Sequence, residues 1–291
     1  MTRPFVVRAI ALMGLAVAVF LTLGWTPPEC TGATRCQSFA SSEEHAQFIQ
    51  ARKNEMLIYF AVQYFKRGEN RYPATFDELC ASPYIPVRCP DLTNPHSGKP
   101  VALTAGSPGD VDWGYGVNGP IFGYPFIQNG AVRTTWRTEF GKAPSPRVQA
   151  YRDDLQKRGA IADETSTLAS LTPAEKAAYF VADYIAGVAS RFDLGSATQF
   201  PSGFAEFVAS ADANDPYGYG SVMAGDKLRN DFTGKYATAV STPSPGDFGY
   251  AVPDGQTVRI EAYGEGGRVL YSRTVKLSTR KPTPGPMPKI P

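Results

Sequence analysis

Enzyme chemistry near neutral pH draws on a nucleophile, an acid/base pair or a metal, and this chain has few residues for any of them. His45 and His96 are its two histidines. Neither stands in the spacing of a His-rich metal site, and neither has a G-x-S-x-G serine or a C-x-x-C partner in sequence. Asp212, Asn214 and Asp215 bring oxygen donors together, the ligand type that calcium takes. A calcium ion needs about six to eight oxygens, and the EF-hand spacing with its closing glutamate is missing. An Asx-rich turn closing a helix uses the same residues. Asp110, Asp112 and Asp247 invite the same two readings. Ser97-Gly98-Lys99 has the ending of a phosphate loop without its upstream glycine, since Leu92 stands five positions before Ser97. It reads as a β-turn. The expectation is no catalytic residue and no cofactor, with calcium at Asp212, Asn214 and Asp215 as the one metal candidate.

Charge narrows the partners. The 29 Lys+Arg against 27 Asp+Glu leave a net +2, so there is no basic field to hold nucleic acid. A hydrophobic share of 43% supports a sizeable core, and 28 Gly with 25 Pro fit turn-rich globular domains.

From Ala9 to Trp25 the chain is apolar apart from Thr22, with Arg3 and Arg8 before it and Pro27, Pro28 and Glu29 after it. A bilayer span needs about 20 apolar residues, with a range from about 17 to 25. The stretch has no polar face for a core helix. No small-x-small cleavage site follows it, which favours an uncleaved anchor over a removable signal peptide. The two arginines place the N-terminus in the cytoplasm and residues 26–291 outside it. Four cysteines, Cys30, Cys36, Cys80 and Cys89, agree with an oxidising compartment. Cys30–Cys36 and Cys80–Cys89 are the simplest of three connectivities, with buried free thiols as the alternative.

The elements that carry these residues come in two copies. Tyr72-Pro73-Ala74-Thr75-Phe76-Asp77-Glu78-Leu79-Cys80-Ala81-Ser82 is echoed 128 positions later by Phe200 to Ser210, with Pro, Phe, Glu, Ala and Ser identical. Ser97-Gly98-Lys99 returns as Thr233-Gly234-Lys235, and Ser107-Pro108-Gly109-Asp110 as Ser244-Pro245-Gly246-Asp247. Trp113-Gly114-Tyr115-Gly116-Val117 returns as Phe248-Gly249-Tyr250-Ala251-Val252. Four landmarks in one order mark a duplication.

Each copy opens with a helix signal. Ser41 with Glu44, and Thr172-Pro173 with Glu175, have the capping-box form. The stripe Phe48, Ile49, Met56, Leu57, Phe60, Ala61, Tyr64 and Phe65 faces a core, with Gly68 as the expected stop. Ala177, Phe180, Val181, Tyr184, Ile185 and Val188 repeat the stripe. Expected strands are 101–103, 113–117, 131–136, 248–252, 257–263 and 269–275, separated by Gly, Pro, Asn and Asp. The fold class is therefore α+β, two units of one helix on a small antiparallel sheet, after a transmembrane helix. The expected division is 1–29 cytoplasmic tip and anchor, 30–141 first unit, 142–171 linker, 172–278 second unit and 279–291 Pro-rich tail.

This organisation resembles the type IV pilin and type II secretion pseudopilin family. The resemblance rests on Arg71-Tyr72-Pro73 with Phe76 to Leu79, Pro90-Asp91 and Asn94 to Pro100, and in the second copy on Phe200-Pro201, Asp215-Pro216-Tyr217-Gly218-Tyr219 and Asp231 to Tyr236. It covers residues 41–135 and 172–277. The family's prepilin peptidase site is absent, because Leu15 follows Gly14 and no Glu precedes Glu29. Pro27, Pro28 and the Cys30 to Cys36 stretch also separate the apolar run from the first helix. The resemblance implies a calcium-type loop near Asp212. It also implies a non-enzymatic protein of the bacterial inner membrane, anchored through residues 9–25, whose partners are other envelope, secretion or pilus proteins. Trp113, Tyr115, Tyr217 and Tyr219 are the expected contact residues. The other class is an envelope hydrolase or ligand-binding protein with its site in a cleft between the units.

Overall fold

The computed structural model describes residues 39–116, 119–137, 168–190, 198–213 and 227–277. Ser41 opens helix α1 (Ser42–Glu69), its hydroxyl accepting from the Glu44 amide at 3.1 Å. The Glu44 carboxylate does not return to Ser41. It accepts from the Ala40 amide at 3.0 Å and from the Asn129 and Gly130 amides at 2.9 and 3.1 Å, so the helix start holds a hairpin turn. Led by the Ala40 amide, these bonds keep its carboxyl below the ordinary carboxylate range. Gly68 does not stop α1: the helix runs to Glu69 and ends at Asn70, which takes the left-handed conformation at φ 53°. Gly68 lies against the buried Tyr84 ring, where a β-carbon would collide.

Thr75 caps the short helix α2 (Phe76–Ala81) by accepting from the Glu78 amide at 3.0 Å. Three antiparallel strands follow, β1 (Asp112–Gly116), β2 (Gly119–Gln128) and β3 (Ala131–Arg137), in the order β1-β2-β3. Residues 101–103 are not a strand. Val101 donates to the Leu92 carbonyl at 2.7 Å and the Ala102 carbonyl accepts from Val111 at 2.9 Å, which makes the segment a stitched loop. The central strand β2 went unread in the sequence because Pro120 and Pro125 argue against one. Register removes the objection, since the N–H and C=O of a strand residue point to the same side. The Pro125 carbonyl accepts from Gly109 at 2.7 Å on the β1 side, beyond the Asp112↔Gly123 pair where β1 begins. By alternation Pro120 faces the β3 side, beyond Phe122↔Arg137 where that pairing ends. Neither proline costs the sheet a donor.

The second unit repeats the order. Thr172 and Glu175 form a full capping box at the start of α3 (Pro173–Ala189). Then come α4 (Phe204–Ala213) and a sheet of β4 (Phe248–Ala251), β5 (Thr257–Tyr263) and β6 (Val269–Lys276), ordered β4-β5-β6. The fold is α+β with two three-stranded antiparallel sheets. Each short helix meets the first strand through aromatic rings, Phe76 with Trp113 at 5.9 Å and Phe204 with Phe248 at 4.7 Å and Tyr250 at 5.6 Å. Leu168 and Leu171, at the end of the expected linker, are buried in the core.

The duplication is most complete in a loop. Asn94, 2% exposed, donates to the Pro108 carbonyl at 3.0 Å and to Asp110 Oδ1 at 2.8 Å, while its Oδ1 accepts from the His96 and Ser97 amides. Asn230, also 2% exposed, donates to the Pro245 carbonyl at 3.1 Å and to Asp247 Oδ1 at 3.2 Å, and accepts from Phe232 and Thr233. Asp110 and Asp247 each take one further amide, from Ala102 and Thr238. Gly109 and Gly246 sit at φ 81° and 77°, and a β-carbon on either would strike the asparagine amide. Asp110 and Asp247, two of the hard-ligand candidates, are here parts of these hydrogen-bonded loops, while Asp112 opens β1 and accepts from the Gly106 amide at 2.8 Å.

The units share one core. β2 lies on α1, and β5 and β6 lie on α3. Between the helices Tyr64 stacks on Phe180 at 4.7 Å and Phe60 meets Tyr184 edge-on at 5.8 Å, a sequence order that makes the helices antiparallel. The layers therefore run sheet, helix, helix, sheet. Each helix buries one acid unread in the sequence. Glu55, 1% exposed, pairs with Arg52 and accepts from Thr135 on β3 at 3.4 Å. Asp183 accepts from Tyr271 on β6 at 3.0 Å and, across the seam, from Arg67 at 2.8 Å. Burial first, then the Asp183 charge, pushes the Tyr271 hydroxyl far above its ordinary value, so it remains a donor.

Two measurements check this account. Asn94→Ala and Asn230→Ala each orphan donors and acceptors in a buried loop, so each lowers unfolding free energy by about 3 kcal/mol in urea titrations, with similar cost in both copies. Asp183→Ala strips Arg67 and Tyr271 of an acceptor and costs about 2–3 kcal/mol. That is below the cost for a fully buried pair, because the Arg67 side chain keeps 34% exposure. Asp183→Asn costs less, since it still accepts from Tyr271.

Candidate functional site

Strand alternation decides what each sheet presents. In the first sheet Trp113, Phe122, Tyr124 and Phe126 point inward, and the last three are buried. The opposite face carries Gly114, Ile121, Gly123, Pro125, Ile127, Val132 and Trp136, with Asp112 and Thr134 as its polar members, through pairs such as Gly114↔Ile121 and Gly123↔Trp136. The Trp136 ring lies over Gly123, where a β-carbon would meet it and Thr134. Even so Trp136 is 56% exposed and Val132 53%.

An antiparallel sheet covered on one side turns polar residues outward on the other. The second sheet obeys. Its outer face carries Arg259, Glu261, Ser272 and Thr274, with Arg259 and Glu261 3.6 Å apart and Ser272 and Tyr263 both donating to Glu261. Ser272 stands opposite Glu261 where Trp136 stands opposite Gly123. The same position in two copies of one unit is thus an exposed indole in the first and a hydrogen-bonded serine in the second. The first face is an apolar surface of the kind that marks contact sites.

Of the aromatic residues expected to make contacts, Trp113 is a packing residue. It stacks on Phe122 at 5.9 Å and 9° and donates from Nε1 to the Ala74 carbonyl at 3.3 Å. Tyr115 is 56% exposed, on the opposite side of the sheet from Trp136. Tyr250, its counterpart in the sequence repeat, takes the structural place of Trp113 instead: it is packed against Phe204 and Phe207 and donates to the Pro201 carbonyl at 3.0 Å. Tyr217, Tyr219, Asn214 and Asp215 lie outside the described residues, and Asp212 lies in the last turn of α4 rather than in a loop. Cys80 and Cys89 are joined as a disulfide, whereas Cys30, Cys36 and the apolar run 9–25 lie outside the described residues. Among the described residues no helix is long and apolar enough to cross a membrane, and no group of three His, Cys, Asp or Glu could hold a metal ion. Trp136 went unread as a contact because its exposure depends on register; the alternating glycines at 114, 116 and 123 were the available signal.

A cavity of about 360 Å³ adjoins the far end of that face, lined by Asn94, His96, Ser97, Lys99, Asp110 and Ile127 among others. Its polar groups are largely those of the loop repeated around Asn230, where Phe232 occupies the place of His96. His96 Nε2 is buried without a hydrogen-bond partner. Burial holds the His96 imidazole below its ordinary pKa, so the neutral ring acts as a packing group. The seam where a ligand cleft would lie is filled by Phe60, Tyr64, Phe180 and Tyr184. No protein-family model, curated protein or solved structure matches the chain.

The His96 environment predicts a pH signature. The unfolded chain takes up a proton near the ordinary imidazole value of about 6.5, while the folded ring resists it. The associated stability is therefore present above about pH 6.5 and is lost as pH falls through the lower folded value. His96→Phe, which copies the second unit, removes this dependence. In melts between about pH 8 and pH 5, the Tm advantage of the variant over wild type grows as the solution is acidified.

Proposed function

We propose that this chain is a non-enzymatic, membrane-anchored, extracytoplasmic protein of pilin or pseudopilin type that acts by protein–protein contact in a secretion or pilus-like envelope system. The element order supports the pilin-like part: a long helix, a short helix after Tyr-Pro or Phe-Pro, a Gly-rich loop and a three-stranded antiparallel sheet, present twice. The apolar run 9–25, with arginines on its N-terminal side, supports the anchor. The single observation that carries the contact role is the difference between the outer sheet faces. One is mostly Gly, Ile, Pro, Val and an exposed Trp, with Asp112 and Thr134 among them, and the other carries Arg, Glu, Ser and Thr. A face that departs from polar-out patterning in one copy alone is a surface with something to cover it.

Site-specific photo-crosslinking in living cells tests the reading. A benzophenone side chain at position 136 captures an envelope protein, and the same group at 272 does not. Equal capture at both positions, or none at 136, removes the role assigned to this face. The anchor has its own readout: the full chain stays with alkali-washed membranes, and deletion of residues 1–29 releases it.

A further inference from the structure

Among the described residues the units also meet beyond the helix seam, at a loop that a cystine closes. Cys80 and Cys89 bound a loop that runs from the end of α2 into a 3-10 turn at Cys89–Asp91. Tyr84, 1% exposed, ties the loop to its own unit by packing edge-on against Phe65 and donating to Glu69, and most of the loop's other polar groups go to the second unit. Arg229 Nη1 donates to the Ser82 carbonyl at 2.7 Å and the Ile85 carbonyl at 3.4 Å, and its amide donates to the Pro86 carbonyl at 2.9 Å. Val87 and Leu228, both fully buried, form an antiparallel bridge. In return Arg88 donates to the carbonyls of Asn230 and Lys235, each at 3.2 Å, and Tyr236 donates to Asp91 at 2.9 Å. Asp231 holds the Arg229 guanidinium with two bonds, of 2.9 and 2.5 Å, aiming its remaining nitrogen at the loop.

The loop carbonyls from 82 to 86 accept from Arg229 only while that stretch keeps its curvature. Its own internal bonds are few: Ser82 donates from its amide and hydroxyl to the Leu79 carbonyl at 3.1 and 2.6 Å, and accepts from the Tyr84 amide at 3.3 Å. Buried Tyr84, Ile85 and Val87 anchor its middle in the core, with Tyr84 edge-on to Phe65 and Phe180, and the covalent closure between Cys80 and Cys89, nine positions apart, fixes its two ends against each other. Both cysteines are half-buried.

We propose that the Cys80–Cys89 disulfide is a redox-sensitive clasp between the two units. When it is closed, the loop is shaped to receive Arg229 and Val87 pairs with Leu228. When a dithiol reduces it, two electrons and two protons pass to the cystine, leaving two protein thiols and one disulfide on the reductant. The loop then loses its closure, and this end of the second unit is released while the aromatic helix seam holds. The rigid two-unit geometry thus forms only where the chain is oxidised. The inference rests on the contacts between the units and stands apart from the pilin reading and the outer sheet face.

Residue-resolved hydrogen exchange on the full chain in detergent tests it, because three amides report separately. Arg229 crosses the units, Val101 bonds within the first to Leu92, and Ala237 bonds within the second to Leu228. On dithiol treatment the Arg229 amide exchanges about tenfold faster or more, while Val101 and Ala237 change little. The Cys80→Ala/Cys89→Ala variant does the same without reductant, and Cys30→Ala/Cys36→Ala does not. Where the first variant fails to fold, reduction of the folded Cys30→Ala/Cys36→Ala protein carries the test. An unchanged Arg229 amide overturns the clasp. So does an equal acceleration of all three, which would make the cystine a support of the whole fold.

Discussion

A backbone that leaves regular structure inside a protein must still find partners for its N–H and C=O groups, and here one asparagine per unit supplies them. Asn94 and Asn230 each hold a loop from both ends, donating to a carbonyl and an aspartate on one strand of the loop and accepting two amides on the other. The geometry leaves no room for a side chain at Gly109 or Gly246. It also brings those glycine amides to the Pro125 and Tyr263 carbonyls, so the loop continues the first strand of each sheet. Sheet, inner face and helix contact all follow from where that loop is held.

Two such units could each have kept a solvent-facing helix. They are joined instead by large rings, with Tyr64 on Phe180 and Phe60 on Tyr184, so that the helices lie between the sheets. Polar links also cross that layer, with Lys176 of α3 donating to Tyr84 at 3.3 Å and lying 3.7 Å from Glu69 in one of them. Asp183 receives Arg67 from the other unit and Tyr271 from its own sheet, and the Arg67 guanidinium lies over the Tyr64 and Phe180 rings. A buried carboxylate that is charged and paired favours one register of the seam over others, which an apolar contact alone would not.

Duplication makes each copy a control for the other. Where the copies agree, as in the asparagine loop and the ring pairs between the short helix and first strand, the shared residues build the fold. Where they differ, the difference lies at surfaces: Trp136 against Ser272, Tyr115 against Val252, His96 against Phe232. At these sheet positions the first unit exposes Trp136 and Tyr115, and the second has a serine and a half-buried valine. Divergence of this kind assigns presentation to one copy and support to the other.

The repeat, the helices and five of the six strands were legible in the sequence, because capping residues, helical stripes and Gly-Asp turns are local signals with periods of their own. The Cys80–Cys89 pairing was legible for the same reason, as the simplest short loop. What lay beyond the sequence depended on neighbours distant in the chain. Pro120 and Pro125 hid β2 until register showed that neither faces a strand needing a donor. Nothing local in the sequence marks Glu55 and Asp183 as buried; a hydroxyl from the third strand and an arginine reach each of them only in the fold. Trp113 and Trp136 are the same residue type in adjacent-looking strand segments, yet one is stacked inside and the other exposed. The pleat sends alternate side chains to opposite faces, and only the paired sheet decides which face is covered.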